Sequence, residues 1–155
     1  MDAAFDHDQL LKDLQAMLAD EDDWTAAMAT VACEIFQRDP QINWAGFYRV
    51  VGPRLLKVGP YQGSHGCLTI PFERGVCGRA AREARSQRVD DVREVPDHIA
   101  CSNSTLSELV VPILDGRGQV RAVLDLDAEA LAYFCAGDAR AMEGLAQWLG
   151  AHYFP

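Results

Sequence analysis

The sequence is short of positive charge and has no long apolar run. Its 155 residues include 14 Lys and Arg against 23 Asp and Glu, which gives a formal net charge of -9. This balance argues against nucleic-acid binding, because the phosphates of DNA or RNA would be repelled. Nowhere do about eighteen consecutive apolar residues occur, so no segment is predicted to span a membrane.

Export signals, metal motifs and nucleotide motifs are also missing. Residues 1–6 are acidic and lack the basic start and apolar stretch of a secretory signal. The five cysteines are an odd number without a CxxC pair, which indicates reduced thiols and disfavours a structural zinc site. No repeat, phosphate-binding glycine loop or GxSxG elbow is present. We therefore predict a cytoplasmic protein.

What is present suits one compact domain. The length and the 49% hydrophobic content are enough for a full core spanning residues 1–155. Apolar residues recur at helical spacing in residues 5–18, 23–37 and 134–154, where Asp138 is a candidate cap. Strands are predicted at residues 42–50, 55–58, 67–70, 109–113 and 120–126, with a short one beginning at 88 and a helix at 75–85. This pattern indicates an α+β fold in which the terminal helices cover a sheet.

The first predicted strand carries two large aromatics. Alternation puts Trp44 and Tyr48 on one face, with Gly46 between them. The two rings are either ordinary core residues or the walls of a slot for a small apolar group. The missing side chain of Gly46 favours the slot, because it leaves a recess between two large neighbours.

Three carboxylates are predicted to lie together on a hairpin formed by the strands at residues 109–113 and 120–126 and the residues that flank them. A four-residue turn at 115–118 would place Glu108 opposite Asp125, and a two-residue turn at 115–116 would shift this pairing by two. Either register leaves Glu108, Asp125 and Asp127 on one face, because side chains alternate with period two. Facing like charges destabilise a sheet unless they bind a cation or keep a proton. The alternative is a solvated acidic edge.

Cys101 lies in the polar stretch that follows Pro96. His98 precedes it by three residues and Glu108 follows it by seven. A cysteine in such a loop is either a small apolar filler or a reactive thiol, and its surroundings decide whether the thiolate forms. The long connection of residues 90–106 favours a functional role, because structureless segments of this length are uncommon in compact domains.

Six motifs, in this order and spacing, resemble those of the free methionine-(R)-sulfoxide reductases. They are INWAGFY at 42–48, GPYQG at 59–63, RGVCG at 74–78, HIAC at 98–101, SE at 107–108 and LDLD at 124–127. The resemblance covers essentially the whole chain. It implies a single GAF-like domain, with a central antiparallel sheet of about five or six strands and the N- and C-terminal helices packed on one face.

The resemblance also implies roles for individual residues. Cys101 matches the catalytic cysteine that attacks the sulfoxide sulfur, Cys67 a resolving cysteine, and Cys77 a third cysteine that substitutes or relays. Trp44 and Tyr48 match the aromatics that hold the methyl end of the substrate. The residues that match the carboxylates around the sulfoxide and the amino group are Glu108, Asp125 and Asp127. Which of Cys67 and Cys77 resolves the intermediate stays open.

The expected function follows from these roles. Reduction of free L-methionine (R)-S-oxide would oxidise Cys101 to a sulfenic acid, which a second cysteine converts to a disulfide for reduction by thioredoxin. Glu108 would act in catalysis within the acidic cluster. No metal and no organic cofactor are implied, and a homodimer is compatible with the resemblance. The rival function is a GAF-type sensor without turnover, which would need neither a resolving cysteine nor three carboxylates in one pocket.

Overall fold

The computed structural model describes residues 5–99 and 104–155. The α-helices of this part of the chain are α1 (His7–Met17), α2 (Trp24–Arg38), α3 (Gly75–Glu83) and α4 (Ala136–Tyr153). Its β-strands are β1 (Ile42–Gly52), β2 (Leu55–Gly63), β3 (Thr69–Pro71), β4 (Gln87–Val89), β5 (Ser107–Leu114) and β6 (Val120–Ala128). A short 3-10 helix, Val92–Glu94, lies between β4 and β5. None of the helices found within these ranges has the length and apolar character needed to cross a membrane.

The strands form one antiparallel sheet in the order β3-β2-β1-β6-β5-β4. Helices α1, α2 and α4 cover one face through a core that includes Leu14, Ile35, Leu124 and Leu145. A second apolar cluster joins α3 to the opposite face. The predicted α+β fold is confirmed, with the N- and C-terminal helices packed on the same face of the sheet.

Acidic side chains define where three of the helices begin. Asp6 and Asp23 are the N-caps of α1 and α2, and their side chains accept hydrogen bonds from Gln9 N at 3.0 Å and Ala26 N at 2.9 Å. Asp138 caps α4 from its third helical position, because its carboxylate accepts the backbone N–H of the N-cap residue at 2.7 Å. Asp138 therefore caps α4, as predicted.

Strand β2 is longer than predicted. The sequence suggests that Gly59 and Pro60 break it after Val58, whereas the strand continues to Gly63. The register against β1 shifts between Gly46 and Tyr48, so β2 carries one extra residue at this point. Such a bulge accommodates a glycine and a proline without ending the strand. Residues 61–63 are consequently strand and not loop.

The hairpin of β5 and β6 has a register that differs from the predicted one. Glu108 lies opposite Asp127 and Val110 lies opposite Asp125, so the predicted pairing of Glu108 with Asp125 is wrong. The turn closes between Asp115 and Gln119 through a backbone hydrogen bond, and a register shift follows Ile113. The displacement amounts to two residues, which leaves all three carboxylates on the predicted face.

Candidate active site

A pocket opens on the sheet face that α3 covers. Six of the eight residues predicted for the site line it: Trp44, Tyr48, Cys77, Glu108, Asp125 and Asp127. Strands β1, β5 and β6 supply the aromatics and the carboxylates, and α3 supplies Cys77. The structure therefore brings together side chains from four separate elements; strand alternation predicted the shared face of the two aromatics and, separately, that of the three carboxylates.

The other two predicted site residues are the cysteines Cys67 and Cys101. Cys101 lies outside the described residues. Cys67 is partly buried just before β3, packs against the apolar cluster of the pocket face and is disulfide-bonded. The neighbouring Gly66 approaches the pocket, because a Cβ placed there would lie 3.0 Å from Tyr48 Oη and 2.9 Å from the Trp44 ring. Cys67 therefore directly follows a residue that packs against the aromatic wall of the pocket.

The carboxylates form a buried acidic cluster. Glu108 and Asp125 are only 6% and 5% exposed, while Asp127 is partly exposed at the strand end. The Cys77 thiol points to Glu108 Oε1, with a sulfur–oxygen distance of 4.0 Å. No described donor lies within hydrogen-bond distance of Asp125 Oδ1. The alternative of a solvated acidic edge is wrong, because two of the three side chains have almost no contact with water.

Burial raises the proton affinity of the whole cluster. Removal from water, together with the nearby negative charge of Asp127, raises the pKa of Glu108 to about 8. Burial also raises the pKa values of Asp125 and Asp127 well above their usual range, and each is raised further by a carboxylate neighbour. At neutral pH the cluster therefore holds protons, which belong to the group as a whole and not to one residue.

Cys77 shares this environment and is unreactive in it. Burial and the negative charges of Asp125 and Glu108 raise the pKa of the thiol well above its ordinary value. The thiolate is the nucleophilic form of cysteine. Cys77 is therefore a neutral thiol at physiological pH. This state suits a substitute or relay cysteine better than the cysteine that first attacks a substrate.

The aromatic wall is a stack of three rings. Trp44 stacks on Tyr48 with centroids 5.6 Å apart and on Tyr61 with centroids 5.1 Å apart. A Cβ on Gly46 would lie 2.8 Å from the Trp44 ring and 2.3 Å from Tyr61 Cβ. The recess at Gly46 is thus filled by these neighbours, and the predicted slot between Trp44 and Tyr48 is wrong. The pocket lies beside the stack, with both predicted rings in its wall.

Backbone contacts hold this stack in place. Trp44 Nε1 donates a hydrogen bond to Ser64 O at 2.9 Å, which ties the indole to the loop that leads to Cys67. Burial, and the negative charge of Asp125, raise the pKa of Tyr48, so its hydroxyl keeps its proton throughout the physiological range. The wall therefore presents a rigid apolar surface beside the acidic cluster.

His98 is the main site residue that the motif analysis did not assign. Its Nε2 lies 3.7 Å from Glu108 Oε2, and its side chain is 17% exposed. Burial lowers the pKa of His98, with a smaller opposing effect from Asp97. His98 can therefore connect Glu108 with solvent as a neutral imidazole at neutral pH. Its presence in the HIAC motif was the available signal.

Asn43 is a second residue that the motif analysis missed. Its Nδ2 donates to Ser104 Oγ at 3.1 Å and to Thr105 Oγ1 at 3.2 Å. These bonds fasten the end of the 90–106 connection to β1, directly before β5 begins. The INWAGFY motif contains this residue, but nothing in the sequence indicates that its amide reaches across the sheet.

A cation could be held by the innermost side chains of the pocket. Among the described residues, Cys77, Glu108 and Asp125 each place one ligand atom within 4.8 Å of the others. Sulfur and carboxylate oxygen together suit a thiophilic divalent ion. Each of the three groups has a raised pKa, so a cation would have to displace protons.

Comparison with known proteins supports the same architecture. Residues 19–151 match the family model of the GAF domain. A Zymomonas mobilis protein is 43% identical over 148 residues, covering 93% of this chain and 91% of that protein. The free methionine-R-sulfoxide reductase of Escherichia coli is 36% identical over 136 residues, covering 88% and 81%.

Solved structures agree with these relatives. The X-ray structure of free methionine-R-sulfoxide reductase from Neisseria meningitidis in complex with its substrate superposes with a TM-score of 0.89 at 38% identity, covering 96% of this chain and 93% of that one. The fold is therefore that of a GAF domain. Within that class, the chain belongs to the free methionine-R-sulfoxide reductase family.

Proposed function

We propose that this protein reduces free L-methionine (R)-S-oxide to L-methionine. The observation that carries the proposal is the buried acidic cluster, which keeps protons at neutral pH in a pocket with an aromatic wall. A sulfoxide oxygen leaves sulfur readily only when it is protonated, so a retained proton is the chemical requirement. Relatives in Escherichia coli and Neisseria meningitidis carry the name of this activity.

The substrate would be held at both ends. Its ammonium group would meet the carboxylates, where Asp125 Oδ1 offers a buried oxygen without a described donor. Its methyl end would lie against the ring wall of Trp44 and Tyr48. A peptide-bound methionine sulfoxide lacks the free ammonium, and burying an unpaired carboxylate against it would cost binding free energy. The acidic pocket therefore supports a preference for the free amino acid.

The proposed reaction transfers one oxygen atom. The Cys101 thiolate attacks the sulfoxide sulfur while the acidic cluster protonates the oxygen. The oxygen passes to Cys101, whose sulfur is oxidised by two electrons to a sulfenic acid, and methionine leaves with its sulfur reduced by two electrons. The thiol of Cys67 then attacks the sulfenic acid, which forms a disulfide and releases water. The disulfide-bonded state of Cys67 supports this role.

Thioredoxin would close the cycle. Its dithiol reduces the protein disulfide by thiol–disulfide exchange and is itself oxidised to a disulfide. This requirement places the proposed reaction in a reducing compartment such as the cytoplasm. A small thiol such as dithiothreitol can replace thioredoxin, because it attacks the sulfenic acid or the disulfide directly.

The test is methionine release from free methionine (R)-sulfoxide with dithiothreitol as reductant. We expect turnover with this epimer, little with the (S) epimer, and little with N-acetylmethionine sulfoxide, which has no ammonium. Chromatography of the amino acid product measures all three. Substrate binding without methionine release would contradict the proposal and favour the GAF-type sensor.

The resolving cysteine gives a separate prediction. We expect Cys67→Ser to lose thioredoxin-supported turnover but to form one equivalent of methionine in a single turnover, because the first attack does not use Cys67. Cys77→Ser should have the milder effect, since the Cys77 thiol is neutral and buried. Rapid-quench measurement of methionine per enzyme distinguishes the two steps.

The dithiothreitol reaction serves as the control. Cys67→Ser should keep most of its activity with this reductant, because a small thiol reaches the sulfenic acid without a resolving cysteine. If the first turnover is lost in Cys67→Ser, this residue takes part in the attack itself and the assignment is wrong.

A further inference from the structure

The segment that contains Cys67 leads into an open sheet edge. Strand β3 is the outermost strand of the sheet and pairs with β2 on one side only, within the described part of the chain. Val58 N donates to Leu68 O at 3.1 Å and Phe72 N donates to Arg54 O at 3.0 Å. Backbone groups of a strand alternate in direction, so those of Thr69 point away from β2. An open edge of this kind can pair with the main chain of another protein.

Leu68 adds an apolar contact at this edge. It follows Cys67 directly and is 71% exposed, compared with 52% for Met17, 50% for Leu131 and 45% for Val51. One exposed leucine by itself is ordinary on a protein surface. This one lies between a disulfide-bonded cysteine and an exposed Thr69 on an edge strand, which is where a protein reductant must approach.

The segment of the chain that includes this edge carries net charge of the opposite sign to the whole chain. Residues 49–82 contain six basic side chains and one acidic side chain, although the chain as a whole carries -9. Lys57 is exposed on β2 and donates to Thr69 Oγ1 at 2.7 Å, so its charge lies at the edge itself. A positively charged patch on an acidic protein attracts an acidic partner and orients the encounter.

We propose that residues 67–69, together with Lys57, form the docking site for a thioredoxin of negative net charge. The inference rests on the proposed function and names the surface through which its reductant acts. The apolar surface around the dithiol would cover Leu68, and the main chain of the partner would pair with Thr69. Lys57 would supply the charge contact.

Docking at this edge selects the sulfur that is attacked. The partner's thiolate attacks the sulfur of Cys67, which forms a mixed disulfide and releases the other cysteine of the protein disulfide as a thiolate. The second thiol of the partner then attacks the mixed disulfide, releases Cys67 as a thiol and leaves the partner oxidised. Two electrons pass from the partner to the protein in this exchange.

The test compares Leu68→Asp with Leu131→Asp as a matched control. Leu131 is also exposed but lies on the connection between β6 and α4. The rate constant for reduction of the oxidised protein by reduced thioredoxin is measured by stopped flow. We expect Leu68→Asp to lower it by about tenfold or more, as loss of an interface anchor does, and Leu131→Asp to leave it unchanged. Turnover with dithiothreitol should be equal in both variants.

Lys57→Glu tests the proposed charge contact independently of Leu68. We expect it to lower the same rate constant at low salt and to flatten the fall of the rate with rising salt, because steering by opposite charge is screened by ions. Unchanged thioredoxin kinetics in Leu68→Asp would overturn the docking site, as would an equal loss with dithiothreitol. If wild-type protein turns over with dithiothreitol but is not reduced by thioredoxin, the partner is wrong while the reductase activity stands.

Discussion

Replacement of Cys101 by Ser is expected to abolish methionine formation with every reductant. A hydroxyl at this position has far weaker nucleophilicity than a thiolate, and loss of a covalent nucleophile typically lowers the rate by several orders of magnitude. We therefore expect a fall in kcat of about 10³-fold or more with dithiothreitol. Because the proposed binding contacts are the carboxylates and the ring wall, substrate binding measured by calorimetry should persist.

Cys33→Ser is the matched control for this experiment. Cys33 is a free, partly buried cysteine on α2, on the other face of the sheet from the pocket. Its replacement should leave the rate unchanged, which separates a specific nucleophile from a general effect of thiol removal. If Cys101→Ser kept more than about a tenth of the wild-type rate, another group would have to attack the sulfoxide.

The surroundings of Cys77 support a role for this cysteine that differs from the one proposed for Cys101. Cys77 lies against Glu108 and Asp125, where negative charge and burial keep its thiol protonated. The same surroundings that make a carboxylate a proton donor therefore make an adjacent cysteine a poor nucleophile. A neutral thiol at Cys77 is consistent with the proposal that another cysteine makes the first attack, which is the role that the family motif implies for Cys101.

Strand alternation was sufficient to predict the acidic cluster. Asp125 and Asp127 share a face of β6 because they are two residues apart, and Glu108 joins them in every register that differs from the predicted one by an even number of residues. The pairing itself could not be predicted, because it depends on how the turn closes at Asp115 and on the register shift after Ile113. A displacement of two residues moves Glu108 from Asp125 to Asp127 without changing the face.

Contacts between distant parts of the chain could not be predicted from the local sequence patterns. Alternation placed Trp44 and Tyr48 on one face of β1 correctly, since both line the pocket. The recess at Gly46 was wrongly predicted, because Tyr61 arrives from β2 and stacks on Trp44. That contact exists because β2 continues past Pro60, which the local sequence argues against.

His98 illustrates the same limit at the acidic cluster. Its position three residues before the cysteine of the HIAC motif was visible, but its approach to Glu108 is a long-range contact that no local pattern indicates. Burial keeps the pKa of His98 below its usual value and the pKa of Glu108 near 8. At neutral pH the proton therefore resides mainly on the carboxylates, and a neutral His98 can return protons to them after each turnover.

A change of Glu108 to Gln is expected to lower kcat by about two orders of magnitude, the usual contribution of a general acid. In the wild type, kcat should fall as the pH rises through about 8, because Glu108 then loses its proton. The variant should lose the part of this fall that Glu108 contributes, since an amide does not titrate, whereas Asp125 and Asp127 still titrate. Steady-state assays with dithiothreitol between about pH 6 and pH 9 measure both effects. The matched control is Glu129→Gln, which replaces an exposed carboxylate just beyond β6. Unchanged alkylation of Cys101 by iodoacetamide would show that the nucleophile is intact. A Glu108→Gln enzyme with near-normal kcat and a wild-type pH profile would exclude Glu108 as the proton donor.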